Sequence, residues 1–316
     1  MKYLYLLSLL GLLMSSCYED KELFIPDQQY KINNELLINS LVGEPESFFV
    51  DINNDPVVSL PGGIQLEWPE NKVRDIEGNV VAGTIRVEFK EYTQPRTGLM
   101  NCPETRSNNQ WINSTKTISL KISNRDKPIQ LTGPVTLYIP SKENIEDINV
   151  YNLSKEGNNT QWALSPGSTE NMEYGNWLIN SNKSPAKEIS GYKIQTMPGQ
   201  DWIMLGKPLG NKIGLEVKCT LNSPQGFNNS NALAYFIGDQ NNIVFKMDYD
   251  AVNRQFYTNS GVTGHNIQGK IIFIGQTSEE NYYFGTTNVV LGSDTNLKIN
   301  GTAMSLESIK AALKRL

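Results

Sequence analysis

Histidine and cysteine are nearly missing from this chain: one histidine, His265, and three cysteines stand among 316 residues. A lone imidazole offers no second histidine to a metal site, and no GxSxG or HExxH pattern gives it a catalytic partner. In its own context, Thr263-Gly-His-Asn266, it reads as a solvated loop residue. Basic runs are also absent, and 33 Asp and Glu outnumber 28 Lys and Arg. The counterion release that drives nucleic-acid affinity therefore has little to work on, and a polybasic attraction to anionic lipid is excluded on the same ground. No apolar run reaches the ~18 residues of a membrane helix. Asn is instead the commonest residue, ahead of Leu, with 25 Gly and 15 Pro, which points to short strands joined by many turns.

The strongest apolar stretch lies at the start. After Lys2 comes the ten-residue run Leu4 to Leu13, followed by Met14-Ser-Ser-Cys17. Ten helical residues cover about 15 Å, half a bilayer core, so the segment reads as a secretory signal. Two small residues directly before Cys17 resemble the lipobox of bacterial lipoproteins; the alternative is an ordinary signal cleaved nearby. The resemblance implies that residues 1–16 are removed and that Cys17 becomes a lipidated N-terminus. Acyl chains at about 0.8 kcal/mol per buried CH₂ make such an anchor effectively permanent. Removal of residues 1–16 takes away only Lys2, leaving 27 basic and 33 acidic residues.

Tyr18-Glu-Asp-Lys-Glu22 follows the cysteine. Tyr stands where an Asp would resemble an inner-membrane retention signal, so the outer membrane is favoured. The acidic cluster resembles the surface-export signal of Bacteroidota lipoproteins, which favours the cell surface over the periplasmic face. Residues 17–44 read as tether and lead-in.

Further on, apolar residues alternate with polar ones at period two. Ile85, Val87 and Phe89 alternate with Arg86, Glu88 and Lys90, and the pattern recurs at Ile118, Leu120 and Ile122 and at Val135, Leu137 and Ile139. Turn signals such as Pro61-Gly-Gly63 and Glu77-Gly-Asn79 separate them. This predicts half-buried antiparallel strands packed as a sandwich. Ser47-Phe-Phe-Val-Asp51, Leu60-Pro-Gly-Gly-Ile-Gln-Leu-Glu-Trp-Pro-Glu-Asn71 and Asp75-Ile-Glu-Gly-Asn79 through Tyr92 resemble the ZU5-like β-domain of uncharacterised Bacteroidota lipoproteins. The resemblance covers 45–165, departs from the family at Trp68 and Glu70, and implies a fold and a compartment without catalytic residues.

Residues 166–205 are turn-rich with short apolar pieces and read as a connector packed on both sides. Alternation returns at Leu215, Val217, Cys219 and Leu221, and apolar runs at 232–237, 243–247 and 271–274 predict a second sandwich over 206–304. The last segment, 305–316, reads as a helix: Ser305 caps it, Glu307 lies in its first turn, Lys314 and Arg315 in its last, and Leu306, Ile309 and Leu313 share a face. The expected architecture is all-β, two β-sandwich domains (Ig-like or ZU5-like) with a short C-terminal helix.

Candidate chemistry is sparse. Cys102 and Cys219 lack CxxC spacing or a neighbouring His and read as unpaired thiols, although an oxidising envelope permits a disulfide. Asp51-Ile-Asn53-Asn-Asp55 begins like a calcium loop, but Pro56 and Gly62 stand where the loop needs Gly and Glu. It is expected to be a hairpin turn between Phe48-Phe49 and Val57-Val58. No cofactor and no metal is expected. Trp111, flanked by Asn109 and Asn113, is the candidate sugar-stacking residue, while packing in a core or a domain interface is the alternative for most of the five tryptophans. The reading is thus a non-enzymatic, lipid-anchored outer-membrane accessory module with an envelope-protein or glycan partner. The alternatives are a carbohydrate-binding lipoprotein beside an outer-membrane importer and a two-carboxylate hydrolase.

Overall fold

The computed structural model describes the chain from residue 37 onward, except positions 39, 42–44, 55, 69–72, 76, 93–103, 108–109, 125–126, 157–158, 168–171, 181–184, 197–200, 210–218, 223–225, 240–241, 259–266, 279 and 292–294. The first strands are β1 (Glu46–Asp51), β2 (Val57–Ser59), β3 (Gln65–Glu67), β4 (Val73–Asp75), β5 (Thr84–Tyr92), β6 (Arg106–Ser107) and β7 (Gln110–Asn124). Then follow β8 (Lys127–Leu131), β9 (Val135–Pro140), β10 (Asn149–Glu156), β11 (Asn159–Leu164), β12 (Met172–Ile179), β13 (Lys187–Thr196) and β14 (Trp202–Pro208). They build two sheets. Sheet I runs β1-β5-β7-β14-β10-β11, with β6 and β8 attached to β7 and β4 to β8; sheet II runs β12-β13-β9-β3-β2.

The expected alternation is what closes this sandwich. Ile85, Val87, Phe89, Ile118 and Leu120 from sheet I meet Leu66, Leu137, Ile139 and Ile194 from sheet II in one buried cluster. Each fully buried Leu or Ile contributes roughly 1.5–3 kcal/mol relative to exposure. The sheets approach closely at Pro61–Gly63, where Gly62 takes φ 69° and a side chain would run into the Glu91 carboxylate. Glu91 there pairs with Lys116 across 2.7 Å, both largely covered.

Two expectations change here. Residues 166–205 supply β12, β13 and β14, two strands of sheet II and the middle of sheet I, so they complete the first sandwich where a connector was expected. Their apolar pieces looked short because Gly175 and Gly191 interrupt them. Residues 51–54 form no hairpin either: β1 pairs β5 while β2 pairs β3, so this turn carries the chain from one sheet to the other.

The remaining strands are β15 (Cys219–Asn222), β16 (Ala232–Gly238), β17 (Val244–Lys246), β18 (Asp248–Asp250), β19 (Gln255–Tyr257), β20 (Ile267–Ser278), β21 (Asn281–Leu291), β22 (Thr295–Lys298) and β23 (Thr302–Met304), before helix α1 (Leu306–Arg315). Sheet III runs β18-β19-β15-β22, and β15 and β22 pair in parallel; sheet IV runs β17-β16-β20-β21-β23. Every residue of β16 is buried because sheet IV is covered on both faces. One face packs Ala234, Phe236, Ile271 and Phe273 against Phe256 and Leu297 of sheet III. The other packs Leu233, Tyr235, Ile272 and Ile274 under Ile309 and Leu313 of α1. Ser305 caps α1 as expected, its Oγ accepting from Ser308 N at 3.2 Å.

The lead-in does not remain a free tether throughout. Leu37, Ile38, Ser40 and Leu41 are helical, and Leu37, 2% exposed, packs beside α1 on sheet IV. A strand edge joins the two sandwiches. Thr105, 1% exposed, donates its backbone N–H to Val244 O at 3.2 Å and accepts from Val244 N through Oγ1 at 3.0 Å. Lys246 N donates to Glu104 Oε1, and Asn242 Nδ2 donates to Ser114 O. Thr105→Val keeps the shape but strands the Val244 N–H. We expect a loss of about 1–2 kcal/mol in urea unfolding, and an unchanged midpoint would show that the joint carries no stability.

Candidate functional site

The residues singled out in the sequence do not converge. Cys17, Cys102, Asn109 and His265 lie outside the described residues, as does Asp55. Cys219 belongs to β15. Asp51 uses its carboxylate within the turn, accepting from Asn53 N at 3.1 Å and Asn54 Nδ2 at 2.8 Å. Asn113 is half-buried on β7, opposite Lys207 of β14.

Trp111 is the clearest correction. It was the candidate stacking platform, with core or interface packing as the alternative; it is 4% exposed and packs 4.9 Å from Phe245, inside the core between sheets III and IV. On the opposite face of β7, Ile112 is buried with Tyr151, Trp162 and Met204 outside sheet I. Pattern alone could not show that β7 is covered on both sides at this end, because the covering strands come from β6 and from the second sandwich. A covered ring cannot stack on a sugar.

A half-exposed tryptophan instead lies on the outer face of sheet II. Trp177 on β12 lies over Gly175, whose Cα approaches the six-membered ring closely enough that a methyl there would sit 3.4 Å from it. Its Nε1–H donates to Gly191 O on β13 at 3.2 Å, which fixes the ring against the sheet. Lys193 Nζ stands 5.1 Å from the ring centroid, and Tyr138 of β9 is 6.2 Å away, tilted at 55°. Tyr138 Oη donates to Glu67 Oε2 at 2.7 Å, and burial together with that bond raises its phenol above the usual value. Ser59 Oγ donates to the neighbouring Gln65 Oε1 at 2.7 Å.

Register explains the grouping. Glu173, Lys193, Tyr138, Gln65 and Ser59 are paired in one row across sheet II, and Trp177 lies two pleats from that row on the same face. The two glycines between leave room for the indole. Gln65 is covered and bonded within the sheet, so the arrangement offers an aromatic surface beside a carboxylate, an ammonium and a phenol, which suits hydrogen-bonding ligands with an apolar side. The sequence did hold a signal for it: glycine inside a strand often marks a place where another group lies against the backbone.

Among the described residues no group of three or more His, Cys, Asp or Glu is arranged to hold a metal ion. No helix among them is long and apolar enough to cross a membrane, which says nothing of strands. No protein-family model matches the chain, and comparison with curated proteins gives no match.

Proposed function

We propose that this is a non-enzymatic, lipid-anchored lipoprotein of the outer membrane, serving as an envelope accessory module on its outer surface, with a ZU5-like first sandwich. The observation that carries the reading is the Met14-Ser-Ser-Cys17 sequence followed by only nineteen residues before Leu37 docks on the folded body. At about 3.3–3.6 Å per residue, that stretch reaches no more than about 70 Å, so an anchored Cys17 would hold both sandwiches beside the membrane. Cys17→Ala is expected to abolish palmitate incorporation and to shift the protein from the membrane fraction to the soluble one. Retention in the membrane with no label in either form would end the lipoprotein reading.

A carbohydrate-binding role is favoured by one specific observation, the half-exposed Trp177 beside Lys193, Glu67 and Tyr138. Pyranose rings place C–H groups on an indole while their hydroxyls reach such polar groups. Trp177→Ala is expected to lower binding on a glycan array at least tenfold, about 1.4 kcal/mol. An unchanged signal, or none with wild type, would remove the sugar role.

A further inference from the structure

Sheet II ends on an open strand. Among the described residues β12 pairs only with β13, in unbroken register from Met172 to Ile179, so its other side presents unpaired backbone N–H and C=O groups. Folded proteins blunt such edges with proline, lysine, a bulge or several charges. None of these interrupts β12: it holds one charge, Glu173, and its Leu178 is 69% exposed. The Trp177 ring leans away from the edge, towards Gly191 on β13, and leaves the strand clear. β1, an edge strand of sheet I, is built differently. Pro45 precedes it, and Glu46 and Asp51 stand at its two ends, where antiparallel copies would bring them together.

We propose that β12 pairs with β12 of a second copy of the chain, antiparallel about a two-fold axis that passes through Asn176 normal to the sheet. The strand is self-complementary in that register. On the inner face Leu178 falls opposite Tyr174 of the second copy, a half-buried ring that can cover it. On the outer face Trp177 falls opposite Gly175 of the second copy, and an aromatic beside an edge glycine fills the space that the glycine leaves. Charge follows the same symmetry. Glu173 lands opposite Ile179 of the second copy, whose own neighbour on β13 is Lys187. Two strand spacings, about 10 Å of backbone, separate that lysine from the glutamate, within reach of two long side chains. Lys193 already stands across from Glu173 in its own sheet, so each exposed glutamate comes to lie between two lysines. This match of ring to gap and of charge to charge is the reason for a second copy over an unrelated strand. Strand addition of this length is a modest interface, below the roughly 1,200 Å² of standard complexes, so the dimer should form only at micromolar concentrations and above.

The test needs neither the lipid anchor nor the sugar reading. Opposite residues of an antiparallel pair have Cα atoms about 4.5–5.5 Å apart, inside the range a disulfide spans. Asn176→Cys in the full chain, oxidised with copper phenanthroline, is therefore expected to give a covalent dimer on a non-reducing gel, with wild type as the baseline for Cys17, Cys102 and Cys219. Glu188→Cys, also exposed but on β13, should stay at that baseline. Lys187→Glu should cut the Asn176→Cys dimer about fivefold, because it turns two attractive pairs into repulsive ones, and adding Glu173→Lys should restore most of it. The chain from residue 18 with no other change should sediment at twice the monomer mass at about 100 μM. A monomer at that concentration, as much dimer from Glu188→Cys as from Asn176→Cys, or an Asn176→Cys dimer unmoved by Lys187→Glu would overturn the proposal.

Discussion

Trp111→Ala is expected to cost about 3–5 kcal/mol, the range for removing a large buried aromatic from a core that cannot collapse around the gap. The ring sits on a strand of the first sandwich and packs with Phe245 and the core residues Phe236 and Phe273 of the second. Its loss should therefore lower the urea midpoint of both sandwiches together. Trp111→Phe, which keeps most of the apolar area, should recover more than half. For the same reason residues 206–316 produced alone, without the Thr105 edge and the Trp111 ring, should show no cooperative transition. A folded, stable fragment, or a Trp111→Ala loss under about 1 kcal/mol, would show that the two units share no core.

Gly191→Ala ranks next, with an expected loss of about 3 kcal/mol, the upper end for forcing extra atoms into a packed interior. A methyl at Gly191 would sit 2.7 Å from Ser141 N and 2.9 Å from Pro140 Cα, and would collide with the Ile139 carbonyl. All three are backbone, so relief requires β13 and β9 to separate. The Trp177 indole would lose its acceptor in the same step. Gly175→Ala is the control, because its methyl would meet only the Trp177 side chain, at 3.4 Å. A Gly191→Ala midpoint equal to that of Gly175→Ala would mean the strands part without cost.

Local rules carried far where one element decides its own state. Ile85, Val87 and Phe89 lie inward and their polar neighbours lie outward, as period two requires. Ser305, Glu307, Lys314 and Arg315 occupy the cap, first turn and last turn of α1 as their chemistry demands. Glu77 and Gly78 form a turn, with Asp75 accepting from Glu77 N and Asn79 N, and the Asn79 side chain holds the Asp75 carboxyl below the usual value.

Sites that depend on partners from distant sequence escaped the same rules. Trp111 looked like a loop aromatic among asparagines; its environment comes from Phe245, more than a hundred residues away. The aromatic surface at Trp177 exists because Gly175 and Gly191 meet across a strand pair, and neither glycine announces the other. Residues 166–205 read as a connector because sandwich strands interrupted by glycine lose the alternation that marks them, while their pairing with β7, β9 and β10 is invisible locally.

The sequence by itself determined that the chain is all-β with a capped terminal helix, and that it begins with a signal-like run ending at Cys17. Periodicity, caps and apolar run length are short-range properties, so these conclusions need no tertiary contact. Only the tertiary structure decided which strands share a sheet, which tryptophans are covered, and that Leu37 of the lead-in packs with α1 on one face of sheet IV. Those outcomes turn on register and on which face each element presents to a remote partner. Such pairing is a property of the whole fold, since burial is set by what arrives from elsewhere in the chain.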